Sequence, residues 1–240
     1  MSTGLVLYSY YKSSCTWRVR AALAYKGLEY TTKLVNVANA DNMMPAYLKL
    51  NPSGNLPTLI HNGQVLTESM AILEYLEEVF PDRKQLLPTD PITRAKIRTI
   101  CSLIVVGIQP LQTPKVYQHS GRTERFAVEM TVLGLHALED QLKSTAGTHC
   151  VGNEMSLADI VFVPQLHNAV TKFKIKLDNL PIVKKLYANL REHDCFATTH
   201  PTKQPDAQAS DLSSCRSTTS LTFNLGKSSS DENNDTFGKE

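Results

Sequence analysis

The pattern of apolar and polar positions divides the 240-residue chain into two parts of different character. In the first part, short apolar runs typical of buried strands alternate with helical stripes; in the second, apolar residues recur only at helical spacing. An α/β order followed by helices alone predicts two domains. We expect a small α/β domain at 1–82, a proline-containing linker at 83–91 and an all-helical domain at 92–206.

The first three elements predict a parallel pair of strands. Leu5–Tyr8 is an apolar run too short for a helix, and Tyr30–Val35 is rich in residues that favour strands. The segment between them has helical character from about Thr16 to Lys26, with Gly27 as its terminator. A β-α-β unit of this kind predicts parallel strands joined by a right-handed crossover.

A hairpin and a helix complete the predicted α/β domain. Two strands, Thr58–His61 and Gln64–Leu66, flank Asn62-Gly63, the dipeptide that suits a tight turn with positive φ at both positions. A helix follows and ends before Pro81. Its apolar stripe consists of Ile72, Tyr75, Leu76 and Val79.

The second part of the chain carries two longer helical stripes. One consists of Ile97, Ile100, Ile104 and Ile108, and the other of Phe126, Met130, Leu133 and Ala137. A further helix is predicted to begin at Ser156, because Ser156 and Asp159 form a capping box. Met155 and Ile160 are spaced to pack on each other across the same helix start.

Composition and charge exclude several classes of protein. The net charge is +2, from 25 basic and 23 acidic residues, so neither nucleic acid nor a membrane surface is indicated as a partner. No apolar run approaches the roughly 18–20 residues of a membrane helix, and no signal sequence is visible.

The last helix is predicted after Pro181, and the polar stretch 207–240 is predicted to be a disordered tail.

The five cysteines are odd in number, scattered and never spaced as C-x-x-C. This arrangement predicts free thiols in a reducing compartment, which we take to be the cytoplasm, and neither a disulfide framework nor a metal site is expected. Four are interpreted as packing or surface thiols: Cys101, Cys150, Cys195 and Cys215. Cys15 stands where chemistry can use it.

Cys15 follows Ser13 and Ser14 at the junction of the first predicted strand and the first helix. Unpaired N–H groups and the helix dipole favour an anion at such an end by about 0.3–1 kcal/mol. A thiolate is the anion expected there, because a free thiol with a pKa of about 8.5 is scarcely ionised at neutral pH and a hydroxyl donor lowers that pKa. The alternative is that the two serines only cap the helix.

Two further segments have both a binding and a structural interpretation. A cis bond at Leu56-Pro57, ahead of an edge strand, leaves the Leu56 N–H and C=O free to pair with an extended peptide; the alternative is an ordinary trans proline. Glu68 and Ser69 begin the last helix of the α/β domain, where the Ser69 hydroxyl and backbone N–H groups suit a carboxylate and Glu68 suits an ammonium group. The alternative is a plain cap, for which Thr67 suffices.

These elements, in this order, resemble the glutathione transferases, and most closely the zeta class, the maleylacetoacetate isomerases. Residues 13–20, Ser-Ser-Cys-Thr-Trp-Arg-Val-Arg, match the S-S-C-x-W-R-V-R signature of that class. Supporting stretches within 5–206 lie at 51–58, 69–77, 107–112, 144–159, 163–165, 200–201 and 204–206. The resemblance implies a thioredoxin-like N-terminal domain, an all-helical C-terminal domain, and a homodimer that binds glutathione and a small-molecule substrate.

The resemblance also implies the residues of the site. Ser13 takes the place of the catalytic serine that hydrogen-bonds the glutathione thiolate, with Ser14 and Cys15 beside it. Leu56 takes the place whose backbone pairs with the cysteinyl part of glutathione, and Ser69 the place that holds the γ-glutamyl carboxylate. The other glutathione contacts carried over are Thr16, Trp17, Arg18, Asn42, Glu68 and Gln109. Lys172 is carried over for a substrate carboxylate.

The function implied is glutathione-dependent cis–trans isomerisation of maleylacetoacetate to fumarylacetoacetate in tyrosine and phenylalanine breakdown, with glutathione transfer to small α-halo acids. Two alternatives stay open: a thiol transferase that forms a mixed disulfide through Cys15, and a catalytically silent binding protein with the same fold. Three departures from the class pattern bear on binding. Glu68 replaces a glutamine, 113–115 replaces Asn-Leu-Ser, and Lys172 replaces an arginine, which alone offers a bidentate fork to a carboxylate.

Overall fold

The computed structural model describes residues 4–208, which form a four-stranded sheet with helices beside it, followed by helices alone. The first part consists of β1 (Leu5–Ser9), α1 (Ser14–Lys26), β2 (Thr31–Leu34), α2 (Pro45–Leu48), β3 (Thr58–His61), β4 (Gln64–Thr67) and α3 (Ser69–Val79). The second consists of α4 (Pro91–Ser102), α5 (Pro114–His119), α6 (Glu124–Leu142), α7 (Leu157–Thr171), α8 (Pro181–Leu190) and α9 (Asp194–Ala197). The predicted fold class is confirmed. From residue 209 onward, the predicted tail lies outside the described residues.

The sheet has the strand order β2-β1-β3-β4. β1 and β2 are parallel, as the β-α-β pattern predicts, whereas β1 pairs with β3 and β3 with β4 in antiparallel fashion. The β3–β4 turn has φ of 50° at Asn62 and 77° at Gly63, the conformation for which that dipeptide was expected. This topology brings the end of β1 and the loop before β3 to the same edge of the sheet.

Helix α1 is buried on both sides. It begins at Ser14, two residues before the predicted start, because the Ser13 hydroxyl accepts a hydrogen bond from the Thr16 N–H at 3.2 Å. It ends as predicted at Gly27, whose φ is 65°. One face packs on the sheet domain, where it contacts α3, and the other packs on α7 and α9. The helix is therefore the joint between the two parts of the molecule.

The predicted stripes have different outcomes. All four isoleucines of the first stripe are buried, from Ile97 to Ile108. The prediction for α6 is wrong, since 60% of Leu133 is exposed and the helix buries another face, made of Ala127, Thr131, Leu135, Leu138 and Leu142. Close approach explains the difference, because a Cβ on Gly134 would lie 2.6 Å from Ile108 Cγ1. In α3 the end of the stripe is also wrong: Val79 is exposed.

A buried ion pair fixes the linker to the sheet domain. Lys26 Nζ lies 2.6 Å from Glu77 Oε1, and both side chains are almost inaccessible. The second carboxylate oxygen of Glu77 accepts hydrogen bonds from the backbone N–H groups of Leu86 and Leu87 at 2.8 and 3.0 Å. Lys26 also donates to the carbonyl of Lys84 at 3.0 Å. The hydrogen bonds satisfy the buried charges and hold the chain between the two parts in one path.

Helix α7 is the central element of the helical part. Its residues from Leu157 to Leu166 are buried all round, and it contacts α1, α4 and α8. The capping box predicted at its start is present, since Asp159 accepts from both the N–H and the hydroxyl of Ser156 at 2.8 Å. Within residues 4–208, no helix combines the length and the apolar character that crossing a membrane requires.

We expect Asp159→Ala to destabilise the protein strongly. The buried Asp159 carboxylate also accepts from the Cys150 N–H at 2.8 Å, so its loss leaves buried donors without partners. Each such donor costs about 1–3 kcal/mol, and we expect a loss of about 2–4 kcal/mol in the free energy of unfolding, measured by urea titration. Asp140→Ala, which breaks an exposed pair with Lys143, is the control and should leave the midpoint unchanged. Equal midpoints for both variants would contradict this account.

Candidate active site

A cavity of about 310 Å³ opens at the end of β1, between the sheet domain and the helical part. Seven of the twelve residues predicted for the site line it: Ser13, Cys15, Asn42, Leu56, Glu68, Ser69 and Gln109. The other lining residues are Tyr10, Lys12, Val37, Asn51, Gly54, Asn55, Pro57 and Thr113. Five separate segments of the chain therefore converge on one cavity.

The first wall is the β1–α1 loop. The Ser13 N–H donates to the Tyr10 carbonyl at 3.0 Å, and the Ser13 oxygen caps α1 as described. A serine hydroxyl has one donor hydrogen and two lone pairs. No described residue accepts from Ser13, so its donor is available to the cavity beside the positive end of the α1 dipole. Half-buried Cys15 also faces this space.

The second wall is the loop before β3. The Leu56-Pro57 bond is cis, the first of the two alternatives that the sequence left open. The Asn55 carbonyl accepts from the Tyr47 hydroxyl at 2.6 Å and from the Asn51 amide at 2.8 Å, which holds the loop against the sheet. Among the described residues, none pairs with the Leu56 N–H or C=O. An exposed pair of backbone groups next to a strand is suited to bind an extended peptide.

The third wall is the start of α3. The residue before the helix is Glu68 and not Thr67, and it has a φ of 65°, a conformation that non-glycine residues rarely adopt. Strain of this kind concentrates at functional sites. The Ser69 hydroxyl is buried and accepts from Arg18 Nη1 at 3.2 Å. Its own hydrogen, the helix N–H groups and the nearby guanidinium make this corner suitable for an anion.

The fourth wall comes from the helical part. After α4, the segment Leu103–Ile108 forms a π-helical turn, in which the Gln109 N–H donates to the Ile104 carbonyl five residues back at 2.8 Å. Such turns often occur at functional sites. This one directs Gln109 into the cavity, where its amide lies 3.4 Å from the Thr113 hydroxyl.

Asn42 completes the cavity near the end of β2. Its side-chain amide donates to the Gly54 carbonyl at 2.7 Å and lines the cavity, so one of its hydrogens is already engaged. An amide nitrogen carries two hydrogens, and its oxygen is a further acceptor. Asn42 thus retains groups that can contact a ligand while it fixes the loop at Gly54.

Arg18 lies behind the cavity and not in its wall. It is fully buried, and besides Ser69 it binds the Gln165 side chain through Nη2 at 3.0 Å. The Gln165 amide continues to the Gln112 side-chain oxygen at 2.6 Å. A chain of buried hydrogen bonds therefore joins the start of α3 to the loop that carries Thr113. Arg18 acts on the cavity through Ser69.

The other four predicted residues also lie away from the cavity lining. Ser14 and Thr16 are buried in α1. Lys172 lies at the end of α7, where its ammonium is over the Phe173 ring and 3.5 Å from the Gln112 carbonyl, and burial lowers its pKa. Trp17 is buried and donates to the Thr199 hydroxyl at 2.9 Å. The cluster around its indole comprises His167, His200 and Phe196.

The lining residues that the sequence analysis did not single out are mostly neighbours of residues that it did. Tyr10 and Lys12 adjoin Ser13, and Asn55 adjoins Leu56. Thr113 lies in the segment whose sequence departs from the class pattern. Val37 and Asn51 are exceptions: Val37 adjoins no predicted site residue, and the role of Asn51 in holding the loop depends on hydrogen bonds to Asn55 and Thr58 across a turn.

Comparison with known protein families assigns both parts of the chain. Residues 3–78 match the family model for the glutathione S-transferase N-terminal domain, and residues 112–197 match the model for the glutathione S-transferase C-terminal domain. Both matches agree with the order of the sheet domain and the helical part.

Individual relatives indicate which class of this family the chain resembles most. A probable maleylacetoacetate isomerase 1 of Drosophila melanogaster is 43% identical over 86% of this chain and 85% of its own, and the Mus musculus maleylacetoacetate isomerase is 41% identical over 85% and 95%. A crystal structure of maleylacetoacetate isomerase from Methylobacterium extorquens with bound malonate and glutathione has a TM-score of 0.78 at 31% identity, covering 85% of this chain and 100% of that one. The chain belongs to the glutathione transferase family, in the zeta class of the maleylacetoacetate isomerases.

We expect His167 to make stability pH-dependent. Burial, with a smaller contribution from the nearby His200, lowers the pKa of His167 from 6.5 to about 3. Below pH 6.5 the unfolded chain therefore binds a proton that the native state does not, so stability falls as the pH falls from about 6.5 towards 3. His167→Phe keeps a ring against Trp17 and should reduce the slope of unfolding free energy against pH by up to about 1.4 kcal/mol per pH unit. Parallel slopes for the two proteins would exclude this origin.

Proposed function

We propose that this protein catalyses the glutathione-dependent isomerisation of maleylacetoacetate to fumarylacetoacetate. The observation that carries the proposal is the Ser13 hydroxyl, which donates to none of the described residues and lies at the start of α1. It shares its cavity with Ser69 and with the Leu56 backbone, which likewise pairs with no described residue. The three groups match the three parts of the tripeptide that must be held: a thiol, a carboxylate and a peptide backbone. The family membership points to the same reaction.

The residues present fit glutathione. The Leu56 N–H and C=O pair with its cysteinyl residue in the manner of an added strand. Ser69 and the start of α3 hold the γ-glutamyl carboxylate, and the Glu68 carboxylate, exposed at the same corner, holds the ammonium group. Ser13 then faces the thiol. Asn42 lines the remaining wall and offers its second amide hydrogen and its amide oxygen to the backbone of the ligand.

The protein's task is to stabilise charge. When bound, glutathione would supply a thiolate nucleophile for addition to the conjugated double bond of the substrate. That bond would become single as its electron pair moves to the conjugated carbonyl, could then rotate, and would re-form as the returning pair expels the thiolate. Ser13 donates its hydrogen bond to the sulfur and, with the α1 dipole, favours the ionised thiol. Among the described lining residues, Lys12 is the cationic one, and its ammonium lies over the Tyr11 ring, 5.2 Å from the centroid. We assign it to a carboxylate of the substrate. The same site suits glutathione transfer to small α-halo acids.

Lys172 has a different place in this proposal from the one that the resemblance implies. Its ammonium is directed to the Gln112 carbonyl and lies behind the Thr113 segment. We therefore assign Lys172 to holding that segment, and Gln109 with Thr113 to the end of the cavity that contacts the substrate.

We expect Ser13→Ala to lower kcat for isomerisation by about 10²–10³, the usual cost of removing one donor to a developing or resident anion. Ser13→Thr retains both the hydroxyl and the cap and should keep most of the turnover. Because Ser13 also caps α1, the unfolding midpoint of each variant is measured beside the kinetics.

Cys15→Ala distinguishes the two chemistries that the cavity permits. Isomerisation through bound glutathione predicts that this variant keeps most of its turnover. Turnover that survives Ser13→Ala and disappears in Cys15→Ala would instead assign the chemistry to Cys15, which lines the same cavity. A folded wild type that binds glutathione without turnover would leave only a binding function.

We further propose that the protein is a homodimer. A groove of about 760 Å³ on the helical part is lined by Pro91, Ala95, Arg98, Thr99, Ser102, Leu103, Val106 and Gly107. Val106 is 74% exposed there, and Leu133 is exposed on α6, which packs against the same segment. A second copy of the chain is the partner we assign to this apolar surface.

Substitution in the groove tests the dimer. Val106→Asp places a charge on an exposed apolar site and should shift the mass measured by light scattering from two chains to one, without unfolding the protein. Val116→Asp is the control, because Val116 is an exposed apolar residue on α5 that does not line the groove. A monomeric wild type at micromolar concentration would refute the assignment.

The cysteines support a location in the reducing cytoplasm, which we propose on this basis. The four cysteines that the structure describes are free, and three of them are buried: Cys101, Cys150 and Cys195. Burial raises the pKa of Cys101 and of Cys195 to about 12, so these thiols stay protonated and unreactive.

A further inference from the structure

The loop that carries Ser13 is held by residues remote from it in sequence. Its turn is closed by the hydrogen bond from the Ser13 N–H to the Tyr10 carbonyl. The Tyr10 and Tyr11 carbonyls also accept from the guanidinium of Arg20 at 3.4 and 3.5 Å, while Arg20 donates to the Ser9 hydroxyl at 3.1 Å. Arg20 is fully buried in α1.

Asp206 binds the same loop from the other end of the folded chain. Its Oδ2 accepts from the Tyr11 N–H at 3.0 Å, across 195 residues of sequence. Its second oxygen, Oδ1, is buried without a hydrogen-bond partner among the described residues, so the carboxylate is not simply a solvated surface group. Burial lowers the pKa of Arg20 to about 10, and the charges of Tyr30 and Asp206 oppose this shift by favouring the protonated guanidinium.

The segment that presents Asp206 is itself fixed to α1. Thr199 accepts from the Trp17 indole, and the His200 ring packs edge-on against the same indole. Backbone hydrogen bonds from Lys203 to His200 and from Ala207 to Gln204 then form two successive turns around Asp206. The stretch 204–206, which resembles the zeta class, thus has a structural role: it presents Asp206 to the Tyr11 N–H.

We propose that Asp206 is a positioning residue, which with Arg20 clamps the Tyr10–Tyr11 peptide groups and thereby fixes the direction of the Ser13 hydroxyl. The Asp206 carboxylate accepts a hydrogen bond from the Tyr11 N–H, and the Arg20 guanidinium donates to the carbonyls of Tyr10 and Tyr11. The helical part thus completes a loop that belongs to the sheet domain. The effect on catalysis rests on the proposed function, whereas the clamp itself does not.

Hydrogen exchange of the full-length, ligand-free protein tests the clamp directly. In Asp206→Ala, we expect the amides of residues 10–14 to exchange about tenfold faster, which corresponds to the loss of one charge-assisted hydrogen bond. Asp206→Asn keeps an acceptor oxygen and should restore most of the protection. Lys203→Ala changes an exposed residue of the same segment and is the matched control. Unchanged exchange in Asp206→Ala would overturn the proposal.

The ultraviolet absorbance of the bound glutathione thiolate tests the consequence for Ser13. In Asp206→Ala, we expect the ionised fraction at neutral pH to fall several-fold and kcat to fall about tenfold, with a smaller change in the KM for glutathione. Faster exchange without any change in the thiolate signal would show that the clamp does not position Ser13. A wild type without turnover would refute the proposed function and still leave the exchange result as a test of the clamp.

Discussion

Two buried guanidinium groups in one helix set the constraint on which the rest of this structure depends. Arg18 and Arg20 are both inaccessible to solvent. A cation removed from water is costly unless polar groups surround it. The Arg18 guanidinium donates hydrogen bonds to oxygens of α3 and α7, and the Arg20 guanidinium donates to oxygens of β1 and of the loop after it. Helix α1 is therefore stable only where the sheet domain and the helical part come together.

The same constraint unites the cavity. Arg18 binds Ser69 in the sheet domain and Gln165 in the helical part, and Gln165 binds Gln112. These hydrogen bonds hold the anion-binding corner at Ser69 at a fixed distance from the Gln112–Thr113 segment. The α1 N-terminus, which faces the cavity, cannot move without moving both. The geometry of the site is thus a property of how the two parts pack and not of either part alone.

Local signals explain what the sequence predicted well. The hairpin at Asn62-Gly63 and the cap at Ser156 each depend on neighbouring residues, and each is present. The sequence also marked Leu56-Pro57 as a place for a cis bond, with a trans bond as the alternative, and the bond is cis. The α6 stripe failed because Gly134 lets that helix approach Ile108 closely, a fact that no periodicity contains. Leu133 and Ala137 of the predicted stripe are exposed as a result, and Phe126 and Met130 are only partly buried.

The predicted site residues divide in the same way into those whose position depends on neighbouring residues and those whose position depends on tertiary contacts. Residues next to a turn or a helix start, such as Ser13, Leu56 and Ser69, line the cavity as the sequence suggested. Arg18 was predicted as a glutathione contact, and the sequence could not show that it lies behind Ser69 and binds its hydroxyl. Lys172 missed the cavity lining because its direction depends on tertiary contacts with Gln112.

The π-helical turn at Leu103–Ile108 makes the chain sensitive to length at this point. A π turn holds about one residue more than an α turn, so deletion of a single residue here would produce a continuous α-helix. Everything before the turn would then rotate by about 100° relative to Gln109, and the face of α4 that carries Ile97 and Ile100 would leave the core. The turn thus fixes the rotation of the buried face of α4 relative to Gln109 in the cavity wall. We expect relatives that keep this cavity to have their insertions and deletions outside this turn.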